Sequence, residues 1–161
     1  MDILQFAMQK EKYSEDYYRQ LAAETNNKGL QKIFNMLADE EAKHYTVVEK
    51  MKSKIPERVS KTDVLSDAKD AFKQMKEAVD KFSFEASQVQ TYKKAQDIEK
   101  ESREFYLQKA NEVQDRCQKG IFRKLAEEEN KHYFLLDNII DFVSRPEQWL
   151  ENAEFHHLED Y

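Results

Sequence analysis

The chain has 161 residues, 36% of them charged with both signs interspersed, and a net charge of -6. That length supports a single domain with a real core, and the acidic balance excludes a nucleic-acid binder, which needs a basic face. One cysteine, Cys117, excludes an internal disulfide or a Cys-x-x-Cys metal knuckle, and no run of 18 apolar residues exists to cross a membrane.

With only 2 Gly and 2 Pro and no clean period-two alternation, the chain reads as all-helical. Residues 1–6 lack the basic start and apolar run of a signal peptide, so a soluble cytoplasmic protein is expected. The first long helix is predicted over residues 2–24, with Leu4, Ala7, Glu11, Ser14, Tyr18 and Leu21 forming a 3-4 seam that faces other helices. Glu11 is the one seam position that is neither apolar nor small. Residues 26–29, Asn-Asn-Lys-Gly, read as a turn, and so short a connection implies an antiparallel neighbour.

The second helix is predicted over residues 30–52, with seam Phe34, Leu37, Glu41, His44 and Val48. Counting along that seam selects Glu41 and leaves Glu40 outside it. Pro56 ends the helix, and residues 63–82 form a shorter amphipathic crossover through Leu65, Ala68, Phe72, Met75, Val79 and Phe82. It carries the chain back along the bundle and covers one side of it. The third long helix, residues 85–113, has seam Tyr92, Ala95, Glu99, Ser102, Tyr106, Lys109 and Val113, with Lys109 reaching toward the bundle end. Cys117 falls in the next predicted turn. The fourth helix, residues 119–143, has seam Phe122, Leu125, Glu129, His132, Leu136, Ile139 and Val143, and Pro146 follows it. The tail, 145–161, spaces Trp149, Leu150, Phe155 and Leu158 as a short helix against the bundle.

Residues 34–45 and 122–133 share one phrase, Phe-x-x-Leu-Ala-x-Glu-Glu-x-Lys-His-Tyr. They belong to a longer repeat: residues 7–45 align with 95–133 at a constant offset of 88, with 17 identities in 39 positions. Roughly two to four identities would arise by chance at ordinary residue frequencies. The chain is therefore predicted to be one domain built from two copies of a helical hairpin, residues 2–53 and 85–144, joined by a crossover over 54–84.

Each copy supplies a Glu-x-x-His pair, Glu41/His44 and Glu129/His132, and one lone carboxylate, Glu11 and Glu99. A carboxylate and an imidazole at i and i+3 point the same way, as two metal ligands on one helix must. Glu154 and His157 repeat the spacing in the tail but have no repeat mate, so they read as a look-alike. Four carboxylates buried together would cost several kcal/mol each or take up protons unless cations neutralise them. Buried salt bridges would require lysine or arginine in the same layer, and the seams supply only Lys109. Two divalent cations would instead leave the site neutral. Mixed carboxylate and imidazole donors suit iron, manganese or zinc, with a bridging carboxylate expected from each half. The same donor set, one Glu from each of two helices and Glu-x-x-His from the other two, is a described di-iron bundle pattern.

With these six residues in place the chain resembles the rubrerythrin-type members of the ferritin-like di-iron carboxylate superfamily over residues 1–145. The resemblance implies a ferritin-like four-helix bundle, two iron ions, and peroxide or dioxygen as oxidant. It also implies a role beside the metals for Tyr18 and Tyr106, which belong to the aromatic pairs Tyr17-Tyr18 and Phe105-Tyr106. The chain lacks the four-cysteine rubredoxin domain of rubrerythrins proper, so electrons are expected from a separate donor protein. It also has Ser102 where rubrerythrins carry a further Glu, with Ser14 in the equivalent place of the first half. A homodimer is the expected assembly. Iron storage with a ferroxidase site, a metal-binding module without turnover, and manganese catalase activity are the rival readings. A hollow assembly, metal binding without peroxide loss, and dioxygen release without reductant would mark them respectively.

Overall fold

The computed structural model describes residues 2–54, 64–77 and 86–144. Five helices fill them: α1 (Ile3–Glu24), α2 (Lys28–Lys52), α3 (Val64–Glu77), α4 (Ala86–Glu112) and α5 (Arg116–Ser144). No strand occurs among the described residues. The helices α1 and α2 form one antiparallel hairpin and α4 and α5 another, each pair packed along its length, while α3 lies across α2 and α5. This is the predicted four-helix bundle with a crossover helix on one side.

The helix starts are set by side chains that accept from otherwise unpaired amides. Asp2 accepts from the amide of Gln5 at 2.8 Å and Asn27 from that of Leu30 at 3.0 Å. Asp115 does the same for Gln118 at 2.9 Å. These caps move two predicted boundaries. Asn27 starts α2 at Lys28, so Gly29 is the second residue of the helix rather than part of the turn. Asp115 starts α5 at Arg116, which puts the exposed Cys117 in a first helical turn and not in a loop. The inter-helix connection is tied by Gln31, whose side-chain amide donates to the Thr25 carbonyl at 2.7 Å.

Along α4 the buried line passes through Glu99, Ser102 and Tyr106 and continues at Ala110, not Lys109. A straight helix drifts about 20° per heptad off a strict 3.5 repeat, which carries Lys109 to the edge of the buried stripe, while Ala110, four residues after Tyr106, stays on it. Lys109 sits at the flank, pairing with Glu112 at 3.0 Å and lying 5.7 Å from the Phe105 ring. The predicted crossover through Phe82 is described only as far as Glu77, and the tail with Glu154 and His157 lies outside the described residues.

Two apolar clusters fill the bundle. One gathers Tyr18, Leu21, Ile33, Phe34, Leu37, the α3 face and Leu135 to Val143. The other gathers Ala7, Val48, Met51, Tyr106, Ala110, Phe122 and Leu125. Repeat mates divide between them: Tyr18 and Phe34 stack in the first at 6.5 Å, Tyr106 and Phe122 in the second at 6.0 Å. The seam residues between these stacks belong to neither cluster. They are the polar ones, the six carboxylate and imidazole residues together with Ser14 and Ser102.

Candidate metal centre

Glu11, Glu41, His44, Glu99, Glu129 and His132 are all buried, and all six meet in one layer of the bundle. The 3-4 spacing places them there, since each continues a seam whose apolar members pack above and below. They form two overlapping groups whose donor atoms lie within 4.8 Å of one another. Glu11, Glu41, His44 and Glu129 make one; Glu41, Glu99, Glu129 and His132 make the other. Glu41 and Glu129, one from each repeat, are common to both.

The imidazoles cross between halves. His44 Nδ1 lies 2.9 Å from Glu129, 3.4 Å from Glu41 and 3.7 Å from Glu11. His132 Nδ1 lies 3.1 Å from Glu41, 3.3 Å from Glu99 and 3.9 Å from Glu129. Their rings are nearly parallel, 5.8 Å apart. The tyrosines cross as well. The Tyr18 hydroxyl donates to Glu99 and the Tyr106 hydroxyl to Glu11, so each lone carboxylate is held from the opposite hairpin.

The electrostatics are those of concentrated negative charge without a fixed cation. Burial, then the neighbouring charge of Glu129, raises the pKa of Glu11; burial, then Glu41, raises that of Glu99. Burial followed by Glu41 and Glu99 pushes Glu129 well above the carboxylate range. For His44 burial acts downward, but hydrogen bonds to Glu11, Glu129 and Glu41 together carry it well above the usual imidazole value. His132 follows the same pattern, burial outweighed by Glu99 and Glu41. Burial and the adjacent carboxylates hold Tyr18 and Tyr106 well above 10, as neutral phenols that donate.

The donor set fits divalent metal ions. One oxygen each of Glu11, Glu41 and Glu99 is buried with no hydrogen-bond partner, although buried carboxylate oxygens normally have one. Among the described residues no lysine or arginine is buried, so the salt-bridge reading has no cation in this layer. Glu40 and Glu128, outside the seams by count, are nonetheless 9% and 3% exposed. They stand outside both donor groups, with Lys43 at 3.6 Å and Lys131 at 3.1 Å. The alternation of seam and flank could not separate buried from exposed at these two positions. Ser14 and Ser102 are also buried, and line a groove between α1 and α4.

A helical bundle with two carboxylate- and histidine-bearing hairpins closed around a shared polar layer defines the ferritin-like class. The Rubrerythrin family model matches residues 2–140, and the chain belongs to that family. No curated protein and no solved structure matches it. Among the described residues no helix is long and apolar enough to cross a membrane.

Proposed function

We propose that the protein is a di-iron carboxylate oxidoreductase that reduces peroxide or dioxygen with electrons from a separate donor protein. Two overlapping donor groups sharing Glu41 and Glu129 carry this reading. Glu11 and His44 would help hold one ion and Glu99 and His132 the other, with Glu41 and Glu129 within reach of both. Such a pair supplies two electrons to one oxidant, one from each ion; manganese or zinc would suit the same donors.

The chain's own residues set the conditions for that chemistry. Each lone carboxylate keeps one oxygen on a tyrosine of the other hairpin and the other oxygen without a hydrogen-bond partner, so that second oxygen would be available to hold a metal ion. Tyr18 and Tyr106 position Glu99 and Glu11, and their raised pKa values keep the protons on the phenols. The apolar clusters on both sides exclude water from the layer. Glu11, Glu99, Glu129 and both imidazoles hold protons more tightly here than in the unfolded chain, so metal should bind more tightly as pH rises.

The test is anaerobic. Iron-loaded protein reduced with dithionite and freed of excess should consume about one equivalent of hydrogen peroxide per chain as its iron spectrum returns to the oxidised form, since each ion gives one electron. Peroxide that persists, or that leaves as dioxygen without any reductant, would remove the reading of peroxide reduction by donor electrons.

A further inference from the structure

Where α1 runs from the polar layer toward its N-terminus, apolar side chains reach the surface. Ile3 and Phe6, one helical turn apart, are 41% and 44% exposed, and Phe6 lies against Phe105 of α4 with ring centroids 5.3 Å apart. Two ammonium groups frame this pair. Lys10 stands 5.6 Å from the Phe6 ring and 5.8 Å from the Phe105 ring, and Lys109 stands 5.7 Å from Phe105. Lys109 is shared with Glu112, but Lys10 makes no ion pair among the described residues. The chain is acidic as a whole, yet not at this end. On this side of the polar layer, residues 2–10, 45–54 and 100–128 hold 11 basic against 8 acidic residues; on the other, residues 12–40, 86–98 and 130–144 hold 7 against 8. Exposed apolar side chains rimmed by charge are the usual mark of a protein interface.

Behind the patch a line of rings leads inward. Phe105 meets the adjacent Tyr106 ring edge-on at 5.4 Å, and the Tyr106 hydroxyl donates to Glu11. Phe6, Phe105, Tyr106 and Glu11 thus touch in series from the surface to the polar layer. The other copy of the repeat does not reproduce this line. The repeat mate of Phe6 is Lys94, which stands over the Tyr17 ring at 5.6 Å. Tyr17 stacks on Tyr13 at 6.3 Å and donates to the Thr91 carbonyl at 2.9 Å, and Asp16 and Glu24 line the groove beside it. Electron tunnelling falls off steeply with distance and faster across gaps than through packed atoms. A packed line of rings that begins at an exposed face is therefore a route inward for electrons.

We propose that a small one-electron carrier protein with an acidic face docks on the Ile3, Phe6 and Phe105 patch, its carboxylates on Lys10 and Lys109, and passes electrons inward along Phe105 and Tyr106. This rests on the reading that a separate protein supplies the metal centre with electrons. Each encounter takes one electron from the carrier and turns one ferric ion ferrous. Two carriers are oxidised for each hydrogen peroxide that takes up two electrons and two protons to become two waters. A second copy of this chain is the poorer occupant, since a two-fold contact on this patch would bring its lysines toward their own copies.

The probe is a plant-type [2Fe–2S] ferredoxin of net negative charge, a strong one-electron reductant. In zinc-loaded protein, which has no redox chemistry of its own, oxidised ferredoxin should shift the amide signals of Phe6, Lys10, Phe105 and Lys109, and the shifts should fade as salt is raised. In iron-loaded protein, Lys10→Glu should lower the second-order rate of reduction by ferredoxin about tenfold at low salt, by setting repulsion in place of attraction. Phe6→Ala should lower it as well, while Lys94→Glu at the repeat-mate position should leave it within about twofold. All three variants should still be reduced fully by dithionite, which shows that their metal is in place. Shifts centred on Tyr13 and Tyr17, equal losses in Lys10→Glu and Lys94→Glu, or a wild type that dithionite reduces and ferredoxin does not, overturns the inference alone. A dimer that dissociates in Phe6→Glu gives the patch to a second copy and overturns it too. If dithionite-reduced protein leaves peroxide intact, the functional reading fails and the inference falls with it.

Discussion

At the residue scale the polar layer is held by exchanges between the two hairpins. Tyr18 of the first holds Glu99 of the second, Tyr106 of the second holds Glu11 of the first, and each histidine faces the other hairpin's Glu-x-x-His carboxylate. Removing a tyrosine hydroxyl would leave a buried carboxylate oxygen without its donor. Tyr18→Phe and Tyr106→Phe should therefore each destabilise the protein by about 1–3 kcal/mol, the cost of an unsatisfied buried acceptor. Urea denaturation measures it, and a loss below a few tenths of a kcal/mol in both would show that these bonds position nothing. The six polar residues were legible in the sequence because a charged residue on an apolar seam stands out, and because the repeat paired each with a mate. The burial of Glu40 and Glu128 was not legible. At about 100° from the seam they lie where the neighbouring helix decides exposure, and sequence spacing carries no record of that neighbour.

At the element scale the four long helices follow from their seams, and the capping residues fix where they begin. Asn27 and Asp115 each draw the helix start earlier than the turn-forming residues around them indicated, since a capping side chain outweighs the weak preference of Gly29 for a turn. The seam of α4 slipped from Lys109 to Ala110 for a geometric reason that a fixed 3-4 count leaves out. The crossover helix α3 is anchored by Phe72, which is fully buried and meets Phe142 edge-on at 5.8 Å. Phe72→Ala should cost about 3–5 kcal/mol through the lost burial and the cavity left behind. A denaturation midpoint within error of the wild type would mean that α3 does not close the α2 and α5 side.

At the scale of the whole molecule, the bundle encloses a layer in which five titratable groups have raised pKa values. Glu11, Glu99 and Glu129 are raised from 4.5 by burial and by one another, and His44 and His132 are raised from 6.5 by the carboxylates around them. A group raised in the folded state binds its proton more tightly there than in the unfolded chain. Its stabilising contribution is complete below its ordinary value and is lost as pH rises through the raised one. The metal-free protein should accordingly melt at a lower temperature at about pH 8 than at about pH 6, and saturation with a divalent metal should reverse the order by replacing the protons. Metal-free melting that is flat or rises across that interval would contradict the electrostatic description.

The central claim is that two metal ions share Glu41 and Glu129 within one chain, and metal content tests it most directly. Protein expressed without added metal, passed through a desalting column and measured by elemental analysis, should carry two metal ions per chain in the wild type. Glu129→Ala, which removes a donor from both groups, should carry at most one. Two metals per chain in the Glu129→Ala protein, or none in a wild type given ferrous iron anaerobically, would contradict the claim.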